Sequence, residues 1–212
     1  MGRMAEKANS FCSLILKLVY VHLLWLAFTL MGLVIFGAGP AAIAMFGVVR
    51  QWIRGNEDIP IFQTFKELYK LHFKEGNLLL FFYGLAGWIL YIDLLYVQSF
   101  AIRAVVITVG ILYLVSIFYV PCIVVHYEMK TLLKKIKYAV FLGIAYFQYT
   151  LVLLVALSAA AVLLMINPGF FFVFGLSPII YITMWMVHQV FQKAEKEQSN
   201  NESRLAIDKQ RG

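Results

Sequence analysis

Basic residues in this chain are clustered, and the clusters alternate with long apolar runs. Sixteen of the eighteen Lys and Arg residues lie in four stretches, within residues 3–7, 50–74, 130–137 and 193–211. Most of the apolar runs reach the roughly 20 residues that a helix needs to cross about 30 Å of hydrocarbon. This alternation is typical of a polytopic membrane protein.

The composition points the same way. Hydrophobic residues make up 62% of the chain and charged residues 14%, whereas a typical soluble domain has about 25% charged residues. In water, 212 residues could not enclose a core large enough to bury so much apolar side chain. The net charge of +7 indicates contact with anionic lipid rather than nucleic acid, because the basic residues border apolar spans.

The predicted fold is all-α, a bundle of about six membrane helices. Five runs are long enough to span, namely 11–36, 77–98, 101–125, 138–166 and 168–190. A sixth run, 39–52, has only 14 residues and is either a short span or a re-entrant piece. If it returns to the inner face, all four basic groups lie in one compartment, as the positive-inside rule favours. We therefore expect six crossings of the cell (inner or plasma) membrane, with both termini cytoplasmic.

A turn followed by small side chains predicts a closely packed second helix. Glycines suit a tight reversal over residues 37–41, and Pro40 fits the first turn of the next helix, where its missing N–H has no intrahelical partner to lose. Small side chains let helix backbones approach closely in lipid. The predicted helix-packing residues are Gly37, Gly39, Pro40, Ala41, Ala44 and Gly47.

Two basic amphipathic helices are predicted on the cytoplasmic side, over residues 60–74 and 126–137. Apolar residues recur at helical spacing on one face, and lysines lie on the other. Helices of this kind lie in the membrane interface, where the lysines contact either lipid head groups or a partner protein. These lysines are Lys66, Lys70, Lys74, Lys130, Lys134, Lys135 and Lys137.

The composition changes abruptly near residue 193. Residues 1–192 form the predicted transmembrane helical domain, and residues 193–212 are polar and nearly free of large apolar side chains. A segment of that composition cannot bury enough apolar surface to fold by itself. We expect a disordered cytoplasmic tail.

Ionisable side chains within the spans are the candidates for function, because they are expensive to place in lipid. His22 lies a third to halfway across the first span and either hydrogen-bonds a neighbouring helix or lines a polar path. Asp93 lies near the outer end of its span, and Arg103 begins the following helix. Either these two form a salt bridge that pins the hairpin, or Asp93 contacts a solute in an outward-facing pocket. Lys17 is close enough to the cytoplasmic interface to snorkel.

Motifs for catalysis or energy coupling are absent from the sequence. It has no G-x-x-x-x-G-K-[ST] phosphate loop, no H-E-x-x-H, no C-x-x-C and no G-x-S-x-G. The two cysteines and four histidines are dispersed without a ligand spacing. We therefore expect a protein that is not an enzyme, has no cofactor or bound metal, and does not itself hydrolyse ATP.

Part of the chain resembles the YesL-like family of small bacterial membrane proteins. The resemblance is carried by GAGPAAIAMF at residues 37–46, VVRQW at 48–52, NED at 56–58 and the Phe-rich segment 65–74. It is clearest over about residues 10–80. Gly37-Ala38 stands where the family usually has a Thr before the Gly-Pro pair. Members of this family look like accessory membrane proteins of ATP-binding-cassette importers for plant-polysaccharide oligosaccharides, without catalytic residues to carry over.

The resemblance therefore implies a non-enzymatic accessory protein that associates with, and stabilises or regulates, an oligosaccharide importer of the ABC type. Its expected partners are the lipid bilayer and the importer's permease or ATPase subunits. One alternative is an independent small-solute transporter or channel, in which His22 and Asp93 line the route. A structural lipid-binding scaffold is a further alternative.

Overall fold

The computed structural model describes residues 2–127, 131–166 and 175–211, with side chains for residues 9, 12–127, 131–160, 162 and 175–197. Every regular element in these residues is an α-helix, which confirms the all-α class. The helices are α1 (Gly2–Met31), α2 (Ile35–Ile53), α3 (Ile61–Leu71), α4 (Phe73–Tyr96), α5 (Phe100–His126), α6 (Leu132–Ala145), α7 (Phe147–Ile166) and α8 (Ser177–Arg211).

Three helices in the described ranges are long and apolar enough to cross a membrane, over Cys12–Met31, Phe73–Tyr96 and Phe100–His126. The bent pair Leu132–Ala145 and Phe147–Ala160 makes a fourth if it counts as one span. These helices agree with a multi-pass membrane protein. The number of six crossings stays a prediction, and the last predicted span, 168–190, begins outside the described residues.

The chain reverses between α1 and α2 earlier than the sequence predicts. Leu33 and Val34 have positive φ angles of 56° and 64°. The Ile35 amide donates to the Leu33 carbonyl at 2.7 Å, which closes a γ-turn centred on Val34. The predicted span 11–36 is therefore interrupted, and residues 37–41 are helical rather than a turn.

α2 is the central helix of the bundle and is not short. It has 19 residues, a rise of about 28 Å at 1.5 Å per residue, so the predicted short element 39–52 is wrong in length. Pro40 lies inside this helix and not in its first turn. α2 contacts α1, α3, α4, α5 and α8. The core lies where α2 meets α5 and α8, and its largest fully buried side chains include Met45, Tyr119, Ile123, Met184 and Phe191.

The amphipathic helix that follows α2 is α3, which is shorter than the predicted 60–74. It ends before His72, and α4 begins at the next residue, so Lys74 belongs to α4. Phe65 on its apolar face is fully buried. The predicted amphipathic helix 126–137 is also wrong: His126 ends α5, residues 128–130 lie outside the described ranges, and α6 continues to Ala145.

The predicted span 138–166 is broken at Tyr146. α6 and α7 meet there at an angle of 95°, because Tyr146 leaves helical geometry with φ −110° and ψ 46°. The hydroxyl of Thr150 donates to the carbonyl of Gly143 across the break, at 2.9 Å. A side-chain donor of this kind supplies the hydrogen bonding that lipid cannot.

The C-terminal segment also differs from the prediction. α8 continues as helix through Arg211, where the polar composition predicts disorder. Residues 193–211 are rich in Lys, Glu, Gln and Ala, which have favourable helix propensity. A helix that is already nucleated by its packed half extends at low cost, because each added residue gains one hydrogen bond.

Candidate functional site

α2 and α4 meet backbone to backbone. A Cβ atom on Gly76 of α4 would lie 2.6 Å from the backbone nitrogen of Pro40, and one on Gly39 would overlap the Gly76 carbonyl. Real Cβ atoms do not approach backbone so closely, so both positions require glycine. The two helices are thereby held at a separation that larger residues would prevent.

The other predicted packing residues also belong to α2. A Cβ on Gly37 would lie 2.7 Å from the Phe28 carbonyl oxygen in α1, and one on Gly47 would lie 2.6 Å from Leu68 Cδ1 in α3. Ala41 and Ala44 are fully buried. The small residues of α2 thus face α1, α3 and α4 and fix the positions of these helices.

A buried ion pair links α4 to α6. Lys135 Nζ donates to Glu75 Oε1, and the other carboxylate oxygen lies 3.2 Å from His72 Nδ1. Lys135 is only 4% exposed. This overturns its prediction as a lipid or partner contact, because the side chain lies inside the bundle and its charge is neutralised there.

The remaining predicted lysine contacts lie on the surface. Lys66, Lys70, Lys74, Lys134 and Lys137 are exposed, and none of them has a carboxylate partner within the described residues. Their positive charge is therefore free to attract anionic lipid or an acidic partner surface. Lys130 lies outside the described ranges.

Further polar contacts gather at the end of the bundle that carries the basic clusters. Lys17 Nζ lies 3.2 Å from Glu57 Oε2 in the α2–α3 loop. His126 Nε2 and the Tyr127 hydroxyl each donate to Glu195 Oε1 at 3.2 Å. Burial, assisted by Tyr138 and Glu195, raises the pKa of the Tyr127 phenol, so it stays protonated and remains a donor.

His22 is buried within the bundle. Its side chain is 3% exposed, and its ring stacks on Trp25 with centroids 5.7 Å apart. A Cβ on Gly175 would overlap the ring, so the chain entering α8 packs directly against it. In the described part of the molecule, three buried polar atoms along this face of α1 have no hydrogen-bond partner: His22 Nδ1, Trp25 Nε1 and Thr29 Oγ1.

Asp93 and Arg103 do not form the predicted salt bridge. Asp93 is partly exposed in the last turns of α4, and Arg103 is exposed near the start of α5. No ion pair joins them, although the structure describes both residues. Closing this pair would cost both side chains rotamer freedom, and no other hydrogen bond or ion pair within the described residues positions either side chain for it. Within the described residues, no hydrogen bond or ion pair joins His22 to either of them.

α4 and the adjoining half of α5 stand largely outside the packed core. Gly76 and Leu79, both in the first third of α4, are its only buried residues. The buried residues of α5 all lie between Val115 and Val124. Large apolar side chains cover the exposed part of this hairpin, including Phe81, Trp88, Tyr91, Leu95, Tyr96 and Phe100.

Two acidic residues that form polar contacts, Glu75 and Glu195, were not predicted from the sequence. Glu75 could have been, because it lies in the first turn of an apolar helix, three residues after His72, a spacing that lets the two side chains form an ion pair. Glu195 could not, because it lies 69 positions from His126 within a polar stretch. In the residues that the structure covers, no group of three or more His, Cys, Asp or Glu side chains is arranged to hold a metal ion.

Comparison with known proteins places these features in a family. A family model described as "Protein of unknown function, DUF624" matches residues 18–94, which contain α2, α3 and most of α4. The chain is 39% identical over 201 residues to uncharacterized protein YteU of Bacillus subtilis (strain 168), covering 92% of this chain and 88% of the relative.

Two other Bacillus subtilis proteins are similar over most of their length. Uncharacterized protein YesV is 31% identical, with 88% of this chain and 92% of the relative covered. Uncharacterized protein YesL is 26% identical, with 94% and 96% covered. No solved structure matches the chain.

Proposed function

Because the chain belongs to the YesL-like (DUF624) family, we propose that it is a non-enzymatic accessory membrane protein of an ABC-type oligosaccharide importer. In this role it associates with the permease or ATPase subunits and stabilises or regulates them. It resides in the cell membrane with both termini in the cytoplasm. The importer supplies the energy, since this sequence contains no phosphate loop.

The observation that carries the proposal is the exposed α4–α5 hairpin. Only Gly76 and Leu79 of the 24 residues of α4 are buried within the chain. Lipid alone would accept the apolar side chains, but the hairpin also carries Asp93 and Arg103, neither of which has a partner within the described residues. Ionisable groups at the membrane are stabilised by pairing with other protein groups. A permease helix packed on the hairpin would supply such groups.

The basic end of the bundle supports a second contact on the cytoplasmic side. Lys66 and Lys70 are exposed on α3, and Lys134 and Lys137 are exposed on α6. Such a surface attracts anionic lipid head groups and also suits an acidic face of an ATPase subunit. The positive-inside rule gives the orientation that both contacts require.

Site-specific photo-crosslinking in native membranes tests the proposal. A photoreactive phenylalanine replaces Trp88 of α4 in one variant and Val155 of α7 in a control. The two positions are matched in exposure, at 65% and 64%. We expect a crosslink from position 88 to an importer permease subunit and none from position 155.

Uptake by the importer provides the second readout. Deletion of the protein should lower uptake of the oligosaccharide or the amount of assembled importer, and re-expression should restore it. If position 88 yields only lipid adducts and deletion leaves both uptake and importer assembly unchanged, the accessory role is ruled out.

A second candidate function is independent transport of a small solute, and the polar face of α1 favours it. His22, Trp25 and Thr29 recur at helical spacing and leave buried polar atoms unpartnered. Unsatisfied polar atoms at membrane depth are typical of a water-filled or solute-binding route. This candidate predicts flux into liposomes that contain only this protein, lost in His22→Leu and kept in Tyr20→Leu, an exposed position of the same helix. Absence of flux in the unmodified protein excludes it.

A further inference from the structure

A cleft of about 600 Å³ opens between the C-terminal end of α2, α7 and α8. Tyr181 and Trp185 line one end of it, and Lys193 and Lys196, with Tyr149 beside Lys193, line the other. None of its lining residues belongs to α4 or α5. The cleft is therefore separate from the surface assigned above to a permease.

The order of side chains along α8 gives the cleft a direction. Tyr181 and Trp185 come first, the amide of Gln189 follows, and Lys196 comes last. Fifteen residues separate Tyr181 from Lys196, a rise of about 22 Å. Aromatic side chains prefer the membrane interface and lysines the head-group region. The lining thus changes from interfacial to head-group character along one helix face.

The positive charge of the cleft is not neutralised by carboxylates. Neither Lys193 nor Lys196 has an ion-pair partner in the residues described here. The neighbouring acids are engaged elsewhere, because Glu195 accepts hydrogen bonds from His126 and Glu197 accepts one from the Tyr146 hydroxyl. The cleft therefore presents free cations to whatever enters it.

Tyrosine rings hold one of these cations in place. Lys193 Nζ lies 5.6 Å from the centroid of the Tyr149 ring and 5.9 Å from that of Tyr146. Cation–π contacts at this distance orient an ammonium group without neutralising its charge. An incoming anion thus meets an ammonium that is already positioned.

Buried hydrogen-bond donors in the lining also lack acceptors. Trp52 is only 6% exposed, and its indole Nε1 has no hydrogen-bond partner among the described residues. The Gln192 amide lies 3.1 Å from His188 Nε2. When this amide donates to a neutral His188, the ring proton resides on Nδ1, which is buried and unpartnered. Buried donors are normally satisfied by an acceptor, so the part of the cleft near Trp52 and His188 suits a ligand rich in acceptor oxygens.

We propose that the cleft binds the head group of an anionic phospholipid. The phosphate contacts Lys193 and Lys196, and the glycerol and upper acyl chains lie against Tyr181 and Trp185. A phosphate ester is the shared chemistry of lipid and soluble ligands. The aromatic end favours the lipid, because a soluble phosphate would leave that half of the cleft unfilled.

Native mass spectrometry of the detergent-solubilised full-length protein tests the assignment. The probes are short-chain phosphatidylglycerol, phosphatidylcholine with the same chains, glycerol 3-phosphate and inorganic phosphate. We expect phosphatidylglycerol to bind at least tenfold more tightly than the other three. The double variant Lys193→Gln/Lys196→Gln should lose at least tenfold of that affinity.

A matched control separates a discrete site from general attraction of anionic lipid to basic surface. Lys66→Gln/Lys70→Gln removes the same charge from exposed, unpaired lysines on α3. These lysines attract anionic lipid only diffusely and do not line the cleft, so their loss should weaken phosphatidylglycerol binding far less than the loss of Lys193 and Lys196. Trp185→Ala should weaken binding of phosphatidylglycerol but not of glycerol 3-phosphate. Thermal unfolding of each variant confirms that the fold is retained, as expected for exposed positions.

Three results would overturn the proposal. Equal losses in the two double variants would mean that attraction is diffuse. Equal affinity for phosphatidylcholine would mean that the negative charge of the head group does not contribute to binding. Glycerol 3-phosphate or inorganic phosphate binding as tightly as phosphatidylglycerol would identify a soluble phosphate compound as the occupant.

Discussion

The hydroxyl oxygens of Tyr119 in α5 and Thr150 in α7 lie 2.9 Å apart, and both side chains are buried. Thr150 donates its proton to the Gly143 carbonyl oxygen, also at 2.9 Å, so the Tyr119 hydroxyl must be the donor in the pair. The resulting chain of two hydrogen bonds joins α5 to both sides of the break at Tyr146. It holds α6 and α7 at their angle of 95°.

Removing this chain should destabilise the bundle. We expect Thr150→Val to lower the free energy of unfolding by about 1 kcal/mol, since buried hydrogen bonds between membrane helices contribute about 0.6 kcal/mol on average and up to about 1.7. Tyr119→Phe should have a similar effect, and the double variant less than the sum, because the two groups share one bond. Denaturation in mixed micelles measures all three. Additive losses would show that the hydroxyls act independently.

Substitution at the α2–α4 contact should be severe. A Cβ in Gly76→Ala would lie 2.6 Å from the Pro40 backbone nitrogen, and backbone atoms cannot move aside. Overpacking of this kind costs about 1–3 kcal/mol or more. The control is Gly84→Ala on the same helix, where no atom lies within 4 Å of the added Cβ. Thermal unfolding in detergent should show a large loss for the first variant and none for the second.

The buried Lys135–Glu75 pair predicts an asymmetry between neighbouring lysines. Lys135→Gln leaves the Glu75 carboxylate without its lysine partner and should cost about 3 kcal/mol, the lower end for a buried pair, because 24% of the Glu75 side chain remains exposed. Adding Glu75→Gln should recover most of the loss. Lys134→Gln, at an exposed neighbouring position, should change stability by less than about 0.5 kcal/mol. Equal effects of the two single lysine substitutions would contradict the pairing.

The γ-turn at Val34 predicts a stabilising substitution. A β-branched residue at φ 64° and ψ −60° is strained by about 1–3 kcal/mol, whereas glycine adopts positive φ readily. After about 1 kcal/mol of added backbone entropy loss, Val34→Gly should gain about 1 kcal/mol. Val162→Gly, at a similarly exposed position inside α7, should lose about 1 kcal/mol. A loss of stability in Val34→Gly would rule out this turn geometry.

Chemical labelling from one side of the membrane checks the orientation. With Cys12 and Cys122 replaced by Ser, single cysteines at Lys66, Lys134 and Gln98 are exposed to a membrane-impermeant thiol reagent in intact cells. We expect only the Gln98 position to react before the membrane is permeabilised, because the positive-inside rule places both lysines in the cytoplasm. Labelling of positions 66 and 134 from opposite sides would refute the proposed threading.

The break points of the helices could not be read from local sequence. The Gly-Pro segment 37–41 has the residues of a turn, yet the chain reverses at Leu33 and Val34. Helix formation continues through Pro40 because the close contact with Gly76 of α4 fixes this part of α2. That contact joins residues 36 positions apart, so no window along the chain contains it.

That the protein is a helical bundle of the membrane follows from its amino-acid sequence alone. Apolar runs of spanning length need every backbone polar group satisfied within the segment, and the helix does this without distant partners. The exposure of Lys66 and Lys70 and the burial of Ala41 and Ala44 likewise follow from helical periodicity, which is a local property.

Which polar groups contact one another depends on how the helices pack. Lys135 is paired with Glu75 across 60 positions, Thr150 with Tyr119 across 31, while Asp93 and Arg103 remain apart although only ten residues separate them. In lipid, a buried charge or hydroxyl takes the partner that helix packing brings within reach. That packing is set by contacts between α2 and its neighbours, which the order of residues along the chain does not express.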